Sequence, residues 1–264
     1  MMDGTNERRL NLIWLPTFRC NLSCAYCAAR ALPTVTHGNE LPASVWIDIF
    51  DSCPHNIEQV AITGGEPSVY HGLDRIISAG KWQICIDSNL RIHPEKWLAP
   101  DAYARVRAVN AGLQFDADHP EAASYWKHIA WLRETLPDAQ IVCANVHLWR
   151  ELPERWERAK ERSLEIGVEY RPQTFDATYL WKERYPQTPG RRESCSSGYS
   201  SVVVLPDGAV YRCIGHAYFK VGLLGNLRNG WDCLLDAPAP CETLFCTACD
   251  QEARTAIDMT LACC

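Results

Sequence analysis

Cys20, Cys24 and Cys27 stand at the spacing C-x3-C-x2-C in the stretch RCNLSCAYC. Thiolates ligate zinc or iron–sulfur clusters, and a cluster normally takes four of them. Three thiolates within eight residues hold three corners of a cubane and leave one iron with an open position. A small molecule carrying an amino and a carboxylate group suits that position as a chelator. The competing reading is a zinc site completed from elsewhere, by Cys249 or His37.

The chain has 264 residues and 14 cysteines, and these are unevenly spread. Cys53, Cys85, Cys143 and Cys233 fall in helix or strand patterns and read as small core residues. Cys195, Cys213, Cys241, Cys246, Cys249, Cys263 and Cys264 lie in the last 70 residues. This asymmetry points to two sites. The N-terminus MMDGTNERRL lacks the apolar core of a signal peptide, and no run approaches the length of a membrane span. A cytoplasmic location follows as the expectation, with thiols reduced and available to metal. Net charge is about −6 with no basic stripe, so neither nucleic acid nor membrane is an expected partner.

Elements that would carry the loop follow from periodicity. LNLIWLP reads as a buried strand, PASVWIDIFDSC as a helix, IEQVAIT as a strand closed by GGEP, and YHGLDRIISAG as a short helix. QICID, AGLQFDA, QIVCANVHL and VEYRPQTF read as further strands. PEAASYWKHIAWLRETL and PERWERAKERSLEIG read as helices between them, with Trp126, Trp131, Trp46 and Trp156 on core-facing positions. About six strand–helix alternations over 10–175 mean an α/β fold with a parallel sheet, here a partial (β/α)6 TIM-like barrel. Its polar motifs fall just after strands, on the rim where such sheets bind ligands. Residues 176–194 break the rhythm and read as a linker. Residues 195–264 read as a small α+β module: SSVVVLPDGAVYRC as a hairpin, NLRNGWDCLLDA as a short helix, then a cysteine loop.

The cysteine triplet with Tyr26 before its last member, on a first strand–loop, resembles the radical S-adenosylmethionine (SAM) superfamily. Gly64, Gly65, Glu66 and Pro67 are similar to that family's second-strand motif, which implies contact with the amino group of SAM. Ser88 and Asn89, in DSN, fall where the family carries polar residues for the ribose or carboxylate; Asn145 and Tyr170–Arg171 are similar to other SAM-contacting positions. Gln114 and Asp116, two apart, share a face, and Asp116 is a candidate to orient substrate.

The C-terminal pattern C-x(9–15)-G-x4-C, with C-x2-C at Cys246 and Cys249, resembles SPASM and twitch domains. It implies an auxiliary cluster on Cys195, Cys213, Cys246 and Cys249, for two [4Fe–4S] clusters in all. Small twitch enzymes of this architecture include the aminocyclitol dehydrogenase of butirosin biosynthesis. The resemblance therefore implies a radical SAM oxidoreductase: hydrogen abstraction from a sugar, aminocyclitol or alcohol, then oxidation through the auxiliary cluster. Asp116, Asp87 or His216 would take the hydroxyl proton. Alternatives are an epimerase with a thiol hydrogen donor such as Cys241, a peptide maturase, or, in another class, a non-catalytic metal-binding module. The expected partners are a small-molecule substrate, a peptide being the other option, and an electron donor such as flavodoxin or ferredoxin.

Overall fold

Leu, Ile and Val in near-unbroken runs build strands that are buried on both faces, as a parallel sheet requires. A computed structural model describes residues 8–24, 27, 39–115, 117–148, 153–175 and 194–240. Its elements are β1 (Arg9–Thr17), α1 (Ala43–Asp51), β2 (Asn56–Gly64), α2 (Leu73–Ala79), β3 (Gln83–Ser88), β4 (Val106–Leu113), α3 (Ala122–Thr135), β5 (Gln140–Leu148), α4 (Pro153–Ile166) and β6 (Glu169–Phe175). β7 (Ser201–Val204), β8 (Ala209–Tyr211), α5 (Ile214–Phe219) and β9 (Leu223–Asn226) follow.

One sheet holds all of these strands, in the order β6-β5-β4-β3-β2-β1-β7-β8-β9. β1 to β6 pair in parallel in chain order, the arrangement of a partial barrel. β7 pairs in parallel with β1, so the described C-terminal strands continue the same sheet. β7, β8 and β9 are antiparallel, and the Pro-Asp-Gly turn of the expected hairpin has Gly208 at φ 86°.

Side-chain alternation divides the sheet into two faces. Leu12, Trp14, Val60, Ile62, Ile84, Ile86 and Val109 join Trp46, Ile76 and Ile129 of the helices in one buried cluster. Ile13, Leu15, Ala61, Cys85, Ala108 and Val203 line the opposite, concave face in a second cluster. Trp14 anchors the helix-covered side. Its ring lies 5.3 Å from those of Trp46 and Phe50 and 6.3 Å from that of Tyr70, all edge-on.

Three elements differ from the sequence expectation or add to it. The fourth strand is Val106–Leu113 rather than AGLQFDA; Gln114 and Phe115 already turn away, and Phe115 stacks on His119 at 5.3 Å. The crossover from β3 to β4, where no helix was named from the sequence, uses two 3-10 segments, Pro94–Lys96 and Pro100–Arg105. Pro100 lacks an N–H and would interrupt an α-helix begun at Pro94. NLRNGWDCLLDA yields only the 3-10 turn Leu227–Asn229, because Gly230 leaves helical space at φ 108°. The expected core cysteines hold: Cys85 and Cys143 are buried, and Cys53 and Cys233 pack half-buried against the core.

Trp14 is fully buried. Trp14→Ala is expected to cost about 3–5 kcal/mol, read as a lower urea midpoint with the slope unchanged. A loss below about 1 kcal/mol would remove the aromatic cluster from the centre of the fold.

Candidate functional site

The chain leaves β1 at Thr17, and the next residues must cross the ends of β2 and β3. Gly64 and Gly65 make this possible. A Cβ on Gly65 would lie 2.2 Å from the Arg19 carbonyl oxygen, and one on Gly64, at φ 118°, 2.6 Å from that of Thr17. Without side chains the two backbones touch: Gly65 N–H donates to the Thr17 carbonyl at 2.9 Å, and Glu66 N–H to that of Arg19 at 2.8 Å. The paired glycines thus serve the approach of the cysteine loop itself.

Glu66 fixes the third strand to this junction. It is 1% exposed. Its Oε1 accepts from Ser68 N–H (3.1 Å), Ser68 Oγ (2.6 Å) and Ser88 Oγ (2.8 Å), and its Oε2 from Asn89 N–H (2.7 Å). Burial pushes the carboxyl above its ordinary value, while these donors pull it back. Pro67 opens the 3-10 turn that presents Ser68. Glu66 and Ser88, expected to face a ligand, brace the rim through these bonds.

A second carboxylate closes the base of the loop. Glu40 grips Arg19 through Nε at 2.9 Å and Nη2 at 2.7 Å, and it also accepts from Thr17 Oγ1. The Tyr70 hydroxyl donates to the Leu41 carbonyl, and Leu41 N–H donates to Pro206 at 2.8 Å. Residues 19 and 40, at the two ends of the cysteine loop, are so held together. Nothing in the sequence spacing pairs them; only the fold does.

Cys20 is exposed, and Cys24 and Cys27 are half-buried. Cys27 N–H donates to the Cys24 carbonyl at 3.2 Å. Two N–H groups face Cys20 Sγ: Leu22 N–H at 3.4 Å and Asn89 Nδ2 at 3.8 Å. Cys24 Sγ lies 3.8 Å from Gln114 Oε1. Partial desolvation raises the Cys20 thiol, the Leu22 N–H pulls it back, and the charges of Glu66, Cys27 and Cys24 push it up again. N–H donors aimed at a thiolate sulfur are the surroundings that an iron–sulfur cluster uses. Among the described residues, no three His, Cys, Asp or Glu side chains converge closely enough to ligate a single ion. A cluster asks for something else: each thiolate binds its own iron. The three cysteines fit that group.

Other expected residues scatter. Asn145 shares a strand face with Cys143, which packs under the helices, and donates to the Tyr170 hydroxyl at 3.5 Å. It sits on the helix-covered side rather than the concave one. Arg171 is registered with Ala144 and paired to Glu169 at 2.5 Å. His216 is buried in α5, where burial and then the charge of Arg212 lower its pKa. Cys195 and Cys213 lie on segments joined by Arg212, whose guanidinium donates to the carbonyls of Ser197 (2.9 Å), Cys195 (3.5 Å), Ala239 (2.8 Å) and Pro240 (2.7 Å). Tyr26, Asp116, Cys241, Cys246 and Cys249 lie outside the described residues.

On the concave face, one step toward the rim from Ala61, Cys85 and Ala108, stand Thr63, Asp87 and Asn110. They are 8%, 8% and 3% exposed, and Asp87 is registered with Asn110. Burial, then the charge of Asp87, pushes the Cys85 thiol up to about 12, which keeps it protonated. Sequence reading took Asp87 as one candidate base and missed the row, because register across three strands is a property of the sheet.

The Radical SAM superfamily profile matches residues 14–170. Among solved structures, native anSMEcpe with bound AdoMet and Cp18Cys peptide is 14% identical, with a TM-score of 0.43, covering 84% of this chain and 78% of that one. A protein described as a GDSL-like lipase, from Bacteroides uniformis, is 13% identical with a TM-score of 0.21, covering 66% of this chain and 90% of that one.

Glu66 gives a pH test with a definite sign. Its folded-state value is raised, so the folded protein holds the proton more tightly than the unfolded chain does. Stability then falls as pH climbs above 4.5, the ordinary value, through the raised one. Glu66→Gln is expected to flatten that slope. At neutral pH it sets an amide N–H against a donor and costs about 1–3 kcal/mol. Urea midpoints across the range measure both.

Proposed function

The chain belongs to the radical SAM superfamily, and from that premise we propose that it oxidises a small hydroxylated molecule bound against the concave face of its sheet. Cys20, Cys24 and Cys27 would hold the [4Fe–4S] cluster that the family uses with SAM. When bound, cluster and SAM supply one-electron chemistry that ends in abstraction of a hydrogen atom from an unactivated C–H bond. The protein's own residues do the rest. Gly64, Gly65 and Glu66 set the rim, and Glu40 with Arg19 closes the loop.

The row of Thr63, Asp87 and Asn110 carries the reading. A row of polar side chains beside small Ala61, Cys85 and Ala108 is the chemistry that a ligand with several hydroxyl or amino groups would match. Asp87 would accept the hydroxyl proton as an alcohol carbon becomes a ketone. That conversion also releases one electron after the hydrogen atom has gone. An auxiliary cluster on Cys195, Cys213, Cys246 and Cys249 would receive it; Arg212, by gathering the backbone at Cys195 and at 239–240 next to Cys213, supports that assignment. A small electron-transfer protein such as flavodoxin or ferredoxin would deliver the electron that starts each turnover. Among the described residues no helix is long and apolar enough to cross a membrane. A reducing cytoplasm is the proposed location, since free thiols must persist.

Iron and acid-labile sulfide are counted per chain after anaerobic reconstitution, for the parent and for a variant with Cys20, Cys24 and Cys27 changed to Ala. About eight irons in the parent and about four in the variant are expected. About four and none would remove the auxiliary cluster and with it the electron acceptor of the oxidation. Loaded, reduced parent that forms no 5′-deoxyadenosine from SAM with any sugar or aminocyclitol would overturn the activity.

A further inference from the structure

Asn89 is held in one orientation by partners of opposite polarity. Its Oδ1 accepts from Arg91 N–H at 3.0 Å, closing an Asx turn. A backbone N–H can only donate, so the amide oxygen, and not its nitrogen, faces Arg91. Nδ2 must then point the other way, where it meets Asn21 Oδ1 at 2.8 Å and Cys20 Sγ at 3.8 Å.

The turn beneath is equally constrained. Asn89 N–H donates to buried Glu66. Leu90 is fully buried at φ 51°, a left-handed conformation uncommon for leucine. Its N–H donates to Ser88 Oγ at 3.1 Å, and its carbonyl meets His128 Nδ1 at 2.7 Å. Surroundings that hold a leucine in that conformation over-determine it, and such strain gathers at functional sites. Here the strained turn delivers a single N–H donor to a single sulfur.

We propose that Asn89 tunes the reduction potential of the cluster by donating its side-chain N–H to the Cys20 thiolate. This rests on the reading that Cys20, Cys24 and Cys27 hold that cluster. Reduction adds negative charge that is shared with the ligating sulfurs. A donor on one of them stabilises the reduced form more than the oxidised one and raises the potential. A cluster tuned upward is easier for a weak electron-transfer partner to reduce. Leu22 N–H supplies a second donor to the same sulfur, at 3.4 Å, from the backbone; Asn89 is the donor that a side-chain change adjusts.

The test uses full-length protein reconstituted without oxygen. Potentials are read by EPR-monitored reductive titration, following the signal that SAM perturbs, in the parent, Asn89→Asp and Asn89→Leu. Asn89→Asp keeps an oxygen on Arg91 N–H but replaces the donor with a negative charge. Asn89→Leu removes donor and acceptor. Both variants are expected to retain the parent's iron content at this site and to titrate at more negative potentials, Asn89→Asp the lower of the two. If Asn89→Leu fails to hold iron, Asn89→Asp decides alone. Unchanged potentials with iron retained overturn the proposal. So does a weakened affinity for SAM, by equilibrium binding, without a change in potential; that result makes Asn89 a SAM contact instead. A parent chain that takes up no iron overturns the cluster reading itself, and this proposal with it.

Discussion

A carboxylate removed from water must be given donors, and the rim of this sheet is organised around that demand at Glu66. Four hydrogen bonds converge on it, from the turn after β2 and from the end of β3. Its own N–H holds the carbonyl of Arg19 beyond β1. Glu66 therefore ties three strand ends together, two through its carboxylate and one through its backbone N–H. Since an unsatisfied buried carboxylate is far costlier than an unsatisfied amide, the three ends cannot drift independently.

Close backbone approach is the second constraint, and it depends on the first. Gly65 lies where any side chain would strike the backbone at Phe18 and Arg19. The contact brings the start of the cysteine loop onto the rim, and Glu40 then fastens the end of the same loop to Arg19 in a two-pronged ion pair. The loop is pinned at its base while its thiols stay at the surface or half-buried, where a cofactor can reach them. Asn89, oriented by the same junction, faces the first of those thiols. A site is thus assembled from short-range consequences of one buried charge.

The two faces of the sheet divide the labour. Bulky side chains on the helix-covered face pack into an aromatic and aliphatic core around Trp14. The concave face carries smaller residues at Ala61, Cys85 and Ala108 and a polar row at Thr63, Asp87 and Asn110. Bulk thus packs one face, while the other combines smaller side chains with a buried polar row, so the two faces differ in chemistry within one sheet.

Much of this was legible in the chain alone. Apolar runs of strand length alternating with amphipathic helices specify a parallel α/β sheet, because local periodicity fixes which faces must be buried. C-x3-C-x2-C fixes thiolate chemistry, because three ligands so near in sequence need no fold to bring them together. GGEP was legible as a close-approach motif, but its partner was not: the glycines meet the chain at Thr17–Arg19, and the glutamate meets Ser68, Ser88 and Asn89 rather than open solvent. The face that Asn145 takes was not legible, because it depends on the strand's register, which a one-residue shift reverses. The Arg19–Glu40 pair, the row of Thr63, Asp87 and Asn110, and the turn that aims Asn89 at Cys20 had no sequence signature at all. Composition and spacing determine which chemistry a segment can perform, since covalent neighbours stay neighbours in every conformation. Which distant residues meet at the rim was decided only by strand order and register, since those contacts exist only once the sheet has formed.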